Sequence, residues 1–231
     1  MGLLRMWLYD HIINHWMPNK RGGWNVLFFL TLGIGAVLVA ALLIRNGSQD
    51  ARWEKEALQA LELDFHLLSL HLVNGVDPYY SDKYFGGKTR NQAYREYAEA
   101  KAESILAWED FDSVAHIGYA SKFSIYTGPE RALVYADAPD VFDEILRHII
   151  RLGKCLEVNT SGFATTGDTF AHSSIIKRYI ELGGENFTFG SDSHAVDRDY
   201  DGIERAKDMV RDLGGKYQAS FDQRRMTLWR I

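Results

Sequence analysis

Residues 139–159 read PDVFDEILRHIIRLGKCLEVN, and this stretch decides the fold class. Pro139 suits the first turn of a helix, Val141, Phe142, Ile145, Leu146, Ile149 and Leu152 recur at helical spacing, and Gly153 supplies a stop. The residues that follow, 154–159, form a short apolar run of the kind found in strands buried on both faces. Outward from this unit the scheme repeats. Strand-like runs occupy 65–73 (FHLLSLHLV), 111–120 (FDSVAHIGYA), 186–190 (NFTFG) and 217–221. Helices are expected between them. One is capped by Thr89 and runs to about Trp108 with Ala93, Tyr94, Tyr97, Ala98, Ile105 and Leu106 on one face. Two more cover 173–182 and 201–213, each followed by Gly-Gly. Strand, helix, strand in this order implies a parallel sheet with crossover helices, hence an α/β fold, either an open sheet or part of a barrel.

The chain of 231 residues is 46% hydrophobic and 25% charged, which suits an ordinary globular domain and excludes a disordered or collagen-like chain. A formal net charge of −5 supplies no overall positive field, so no nucleic-acid partner is expected. The single cysteine, Cys155, excludes an intrachain disulfide and a multi-cysteine zinc site, and its apolar strand makes it a small core residue. A reducing compartment fits this usage.

Upstream, residues 24–44 (WNVLFFLTLGIGAVLVAALLI) carry no charge and are bracketed by Lys20, Arg21 and Arg45. A helix needs about 20 apolar residues to cross the hydrocarbon core, so a transmembrane helix is expected here. The run is longer than a usual signal-peptide core and lacks a clear small-x-small cleavage site. Arg45, Arg52 and Lys55 slightly favour a single-pass protein with a cytoplasmic C-terminal domain. The expected organisation is an N-terminal flank over 1–23, the span over 24–44, a linker and helix over 45–63, and a soluble domain over 64–231.

The polar residues that stand out lie at strand ends: His71, His116, Glu157 with Asn159, and Asp192 with His194. Parallel α/β folds gather ligands at the carboxyl ends of their strands, so these segments would deliver their side chains to one rim. Imidazole and carboxylate donors suit divalent zinc, manganese or iron, their number left open, and such ions can clamp a phosphate. Asp192 and His194, at alternate positions after Gly190, point the same way on an extended chain. A single histidine at a strand end is more often a hydrogen-bonded core residue, and His66, His148 and His172 are read in that way. His11 and His15 fit an interfacial helix. A serine hydrolase is the rival chemistry, but no Gly-x-Ser-x-Gly elbow, P-loop or dinucleotide fingerprint is present.

The segments DFHLLSLHLVNGVDPYY, KYFGGKTRNQAYREY, FDSVAHIGYASKF, CLEVNTSGF and IELGGENFTFGSDSH together resemble the histidinol-phosphatase branch of the PHP (polymerase and histidinol phosphatase) superfamily. The resemblance runs from about residue 64 to the C-terminus. It implies a distorted (β/α) barrel with a trinuclear metal centre that hydrolyses L-histidinol phosphate to L-histidinol and phosphate in histidine biosynthesis. Carried over, it makes His71 and His116 ligands of one metal, Asp192 a ligand of a second and His194 of a third, with Asp192 and His194 at the catalytic centre. It places Glu157 and Asn159 as outer-sphere or substrate contacts, and Lys122 where an arginine often meets the substrate phosphate. Gly118 replaces an aspartate often found two residues after the family's histidine.

The family opens with a His-x-His strand, further histidines and a glutamate bridging two metals, and none of these is present here. The fold expected is therefore an incomplete PHP-type barrel lacking its first strands, preceded by the transmembrane helix. Activity is expected to be impaired unless an oligomer or a complementing chain restores the ligands. The alternative is a catalytically inactive, membrane-anchored binding or interaction domain derived from the PHP fold. Another phosphoester substrate is a third reading, disfavoured by the VDPYY and GGKTRNQAY segments.

Overall fold

The computed structural model describes residues 63–193 and 202–231. The span expected over 24–44, the flanking segments and His194 lie outside the described residues. Among the described helices none is long and apolar enough to cross a membrane.

Six strands form one sheet in the order of the chain: β1 (Leu67–Leu68), β2 (Ser113–Val114), β3 (Cys155–Asn159), β4 (Asn186–Gly190), β5 (Tyr217–Asp222) and β6 (Arg225–Arg230). The first five are mutually parallel and β6 returns antiparallel to β5. The crossovers carry α1 (Ser81–Phe85), α2 (Arg90–Ala107), α3 (Pro139–Arg151), α4 (Phe163–Thr166), α5 (Ser173–Glu181) and α6 (Gly202–Asp212). The fold is thus mixed α/β, with helices as crossovers, as the alternation of patterns predicts.

The helix termini follow local chemistry. Thr89 caps α2 in a reciprocal box: its Oγ1 accepts from the Gln92 N–H at 3.3 Å, and Gln92 Oε1 accepts from the Thr89 N–H at 2.9 Å. Pro139 opens α3, and Gly153 follows it with φ +65°, a conformation that favours glycine. Between α2, α3 and the sheet lie Tyr97, Ile105, Phe142, Ile145, Leu146, Leu156 and Val158, all fully buried. The guanidinium of Arg178 on α5 holds Asp143 of α3 at 2.6 and 2.7 Å, which pulls that carboxyl down to about 2 and ties the two helices together.

Two strands are shorter than their apolar runs suggest. The run over 65–73 is strand only at Leu67–Leu68, because Val73, Asn74, Gly75 and Val76 make a tight turn with two 3.0 Å backbone bonds and left-handed φ at Asn74 and Gly75. Asn-Gly is the residue pair such a turn favours. The run over 111–120 is strand only at Ser113–Val114 and ends in a 3-10 turn over Tyr119–Phe123. Strand β6 goes beyond the sequence reading, which stops at residue 221. All its residues are exposed, so no burial pattern in RMTLWR announces a strand.

Candidate metal and phosphate site

The carboxyl ends of β1 to β4 face one rim, and the register sets the depths: Val114 pairs with Leu156, Glu157 with Thr188 and Asn159 with Gly190. Just past β1 and β2, His71 and His116 converge. Their Nε2 atoms lie 3.4 Å apart, and Ser69 Oγ lies 2.9 Å from His116 Nε2. His116 is buried, and its pKa lies well below the ordinary histidine value because of burial first, then the nearby His71 and Lys101. A neutral imidazole is the form that ligates metal.

Beneath this pair Glu157 is buried, and its Oε2 accepts from the His116 N–H at 2.6 Å and from Asn159 Nδ2 at 3.3 Å. Burial raises its pKa to about 7. Asn159 Oδ1 in turn accepts from the backbone N–H and hydroxyl of Ser161, at 3.1 and 2.6 Å. Gly190 on the neighbouring strand leaves room for this carboxylate, since a Cβ there would press on Glu157 Oε1 and force it to shift. Across the rim Lys122 Nζ donates to Asp192 Oδ2 at 2.9 Å. Asp192 adopts φ +49°, the left-handed region that non-glycine residues enter mostly at turns and functional sites.

The structure therefore places His71 with His116, Glu157 with Asn159 beneath His116, and Lys122 with Asp192. Among the described residues no group of three or more histidine, cysteine or acidic side chains is arranged to hold a metal. The histidine pair nevertheless fits a divalent cation. Two Nε2 atoms at 3.4 Å cannot both carry protons toward each other; a shared cation would need both lone pairs in the gap, which two neutral imidazoles protonated on Nδ1 would supply.

Residues read as structural have structural partners. The His66 backbone N–H donates to Asp112 Oδ2 at 2.7 Å, His148 Nδ1 lies 2.6 Å from Arg151 Nη2, and His172 caps α5 by accepting from the Ser174 N–H at 3.1 Å. Burial pushes the Cys155 thiol up to about 12, which leaves it inert. The sequence reading missed Lys101, whose buried Nζ donates to the Ala115 carbonyl at 3.0 Å and whose charge favours that of Glu157. The available signal was a lysine on the apolar stripe of α2, one turn from Tyr97, Ala98 and Ile105.

Burial lowers the Lys101 pKa from 10.5 to about 7. Between those values the unfolded chain binds a proton that the folded chain does not, so unfolding free energy rises with pH. The rise is up to about 1.4 kcal/mol per pH unit. Urea denaturation of the metal-free protein between pH 7.5 and 9.5 is expected to show it, and Lys101→Met to flatten it. A variant that climbs as steeply as the parent overturns the assignment.

No family model matches the chain. It is 27% identical over 175 residues to the histidinol-phosphatase of Lactococcus lactis subsp. lactis, a match covering 74% of this chain and 64% of the relative. A probable histidinol-phosphatase of Clostridium acetobutylicum is 31% identical over 154 residues, covering 67% of this chain and 59% of the relative. The chain thus spans about three fifths of the length of these relatives. The crystal structure of histidinol phosphate phosphatase from Lactococcus lactis, complexed with zinc, L-histidinol and phosphate, superposes with a TM-score of 0.71 at 25% identity, covering 80% of this chain and 70% of that one. The chain is thus a relative of the histidinol-phosphatase branch of the PHP superfamily, matched over part of those enzymes' length.

Proposed function

We propose that this chain is a metal-dependent phosphomonoesterase of the histidinol-phosphatase type, acting on L-histidinol phosphate to give L-histidinol and phosphate. The observation that carries the reading is the convergence of His71 and His116 at the rim of the sheet. The likeness to a relative solved with zinc, L-histidinol and phosphate supports it. His71, His116 and Asp192, with His194 from outside the described residues, are the residues that would hold zinc, manganese or iron, which when bound supplies Lewis acidity at the phosphoryl group. Glu157 fixes the backbone that carries His116, Asn159 fixes Glu157, and Lys122 presents a positive charge to a phosphate at the cost of the bidentate fork an arginine would offer.

A second reading is an inactive binding domain. It is favoured by the small number of metal donors brought together among the described residues. In the active reading a second chain, of this or another protein, supplies the remaining donors, and residues 24–44 tether the domain to a membrane with the C-terminal part in the cytoplasm. Metal content and phosphate release from L-histidinol phosphate, measured on one sample of the full chain, separate the two. Bound metal with metal-dependent turnover is expected. Metal-free protein that gains neither metal nor turnover on adding zinc or manganese makes the binding-domain reading the correct one.

A further inference from the structure

Strand β6 ends the sheet on one side, and among the described residues no strand pairs with its outer edge. An open edge is a row of unpaired N–H and C=O groups, which proteins often blunt with a proline, a bulge or a very short strand. β6 uses none of these. RMTLWR is six residues long, free of proline, and in unbroken register with β5 from Arg225 to Arg230. Met226, Leu228 and Trp229 are 38%, 42% and 58% exposed, so apolar side chains stand open on both faces of the strand. Charge is the remaining blunting device, and the arginines at 225 and 230 decide which partner fits.

The hairpin turn fixes which backbone groups face outward. Gln223 and Arg224 both have left-handed φ, 47° and 62°, as a two-residue type I′ turn requires, so Asp222 and Arg225 form the hydrogen-bonded pair that closes it. Alternation then turns the groups of Thr227, Trp229 and Ile231 toward β5, and the Ile231 N–H donates to the Lys216 carbonyl at 3.0 Å. The N–H and C=O groups of Met226, Leu228 and Arg230 point away from the sheet. The edge is held in place at its turn end, where the Gln223 and Arg224 N–H groups donate to Asp64 at 3.0 and 2.9 Å and the Cys155 thiol donates to Met226 Sδ at 3.6 Å.

A second copy of the chain, running antiparallel, can pair all three outward residues with one another in a single register: Leu228 faces Leu228, and Met226 faces Arg230 of the other copy. In that register no arginine faces an arginine. Arg225 meets Ile231, and Thr227 meets Trp229, an aromatic and β-branched pair that antiparallel strands favour. A shift of one residue sets Arg225 against Arg230 and mismatches the backbone groups, and a shift of two residues toward the turn sets Arg230 against Arg224. We propose that β6 is a dimer edge, through which two copies join antiparallel about a two-fold axis at Leu228 into one continuous sheet. The rims of the two sheets then face opposite ways, so neither copy brings a metal donor to the histidine pair of the other. The contact is therefore independent of the phosphatase reading and of the chain that completes its donors.

The test is sedimentation velocity of the full chain in detergent micelles across the micromolar range, with far-ultraviolet circular dichroism to check that each variant folds. The parent is expected to pass from monomer to dimer as concentration rises. Leu228→Lys sets two cations face to face on the axis, and Leu228→Pro removes an N–H that points outward and serves no bond to β5. Each is expected to weaken the dimer at least about tenfold. Register is read by cross-linking. The one native cysteine, Cys155, is buried, so a cysteine placed on β6 reports alone. Leu228→Cys puts two Cα atoms about 5.5 Å apart, within reach of a disulfide, and is expected to give a covalent dimer on mild oxidation. Arg225→Cys puts them about 20 Å apart and is expected to stay monomeric under the same oxidation. A parent that remains monomeric throughout overturns the proposal, as does a dimer that survives both Leu228→Lys and Leu228→Pro, which places the contact elsewhere, residues 24–44 included. Equal cross-linking of the two cysteine variants also overturns it, since the strands then meet without register.

Discussion

His116→Ala is expected to reduce bound zinc or manganese by at least half and to lower phosphate release from L-histidinol phosphate by at least about a hundredfold. Removing only an outer partner of a metal ligand costs about 10–100-fold in metal affinity or activity, and loss of a ligand itself costs no less. His116 Nε2 is the atom shared between Ser69 Oγ and His71 Nε2, so alanine at this position removes the centre of the triangle. The Glu157 contact is made by the His116 backbone N–H and survives the substitution. That distinction separates ligation from scaffolding. A structural histidine would reveal itself through a fallen unfolding midpoint in metal-free protein with metal affinity little changed. A metal ligand leaves the metal-free midpoint lower only by the cost of a buried cavity, and abolishes the additional stability that zinc confers on the parent. Inductively coupled plasma measurement of metal content and melting with and without zinc read both quantities. Full metal content and parental turnover in His116→Ala would remove this residue from the site.

The helical parts of the fold were legible because their signals are local. Thr89 with Gln92, Pro139 with Gly153, and the Gly-Gly pairs after 182 and 213 each mark a helix end through backbone chemistry within a few residues. Strand β4 was legible for a related reason, being a short apolar run between a turn and a glycine. What failed was strand length near the site. In FHLLSLHLVNGV the apolar run continues past the last paired residue, and the Asn74-Gly75 signal for reversal was passed over. That reversal is what brings Asp77 back to Tyr119, so their contact was invisible for the same reason. The positions of His71, His116 and Asp192 followed from the rule that parallel strands deliver residues at their carboxyl ends. Their pairing did not, since the 3.4 Å approach of two imidazoles depends on the register of β1 against β2. Lys101 and Glu157 carried a visible anomaly, a charge on an apolar stripe and a charge in an apolar strand. Sequence alone does not say that both are buried at one place.

Arg224→Met is expected to destabilise the domain by about 2–4 kcal/mol, a large share of a typical domain's stability. Arg224 sits in the turn between β5 and β6 at φ +62°, and its guanidinium reaches the far end of the sheet from the site. Nε and Nη2 bond the two oxygens of Asp112 at 3.0 and 3.1 Å, and Nη1 bonds Asp110 at 2.7 Å. The backbone adds to the clasp: the Arg224 and Gln223 N–H groups donate to the Asp64 carbonyl and carboxylate at 2.9 and 3.0 Å. Phe221 meets Phe65 at 4.9 Å on the same side. The hairpin thus bends back onto the residues entering β1 and β2, elements four and three strands away in the sheet order. Removing the guanidinium leaves Asp112, only 5% exposed, with the His66 N–H as its remaining partner and a buried charge to solvate. The range is set below that of a fully buried pair because the Arg224 side chain keeps 27% of its surface in solvent. Asp112→Asn in the Arg224→Met background removes the stranded charge and is expected to recover more than half of the loss. Because the clasp lies opposite the rim, L-histidinol binding at 10 °C, where the variant remains folded, is expected to match the parent. Chemical denaturation of the two variants, with calorimetry on the first, tests the argument: a loss under about 1 kcal/mol would mean that the hairpin is held by its backbone bonds and the Phe65–Phe221 contact rather than by the ion pairs.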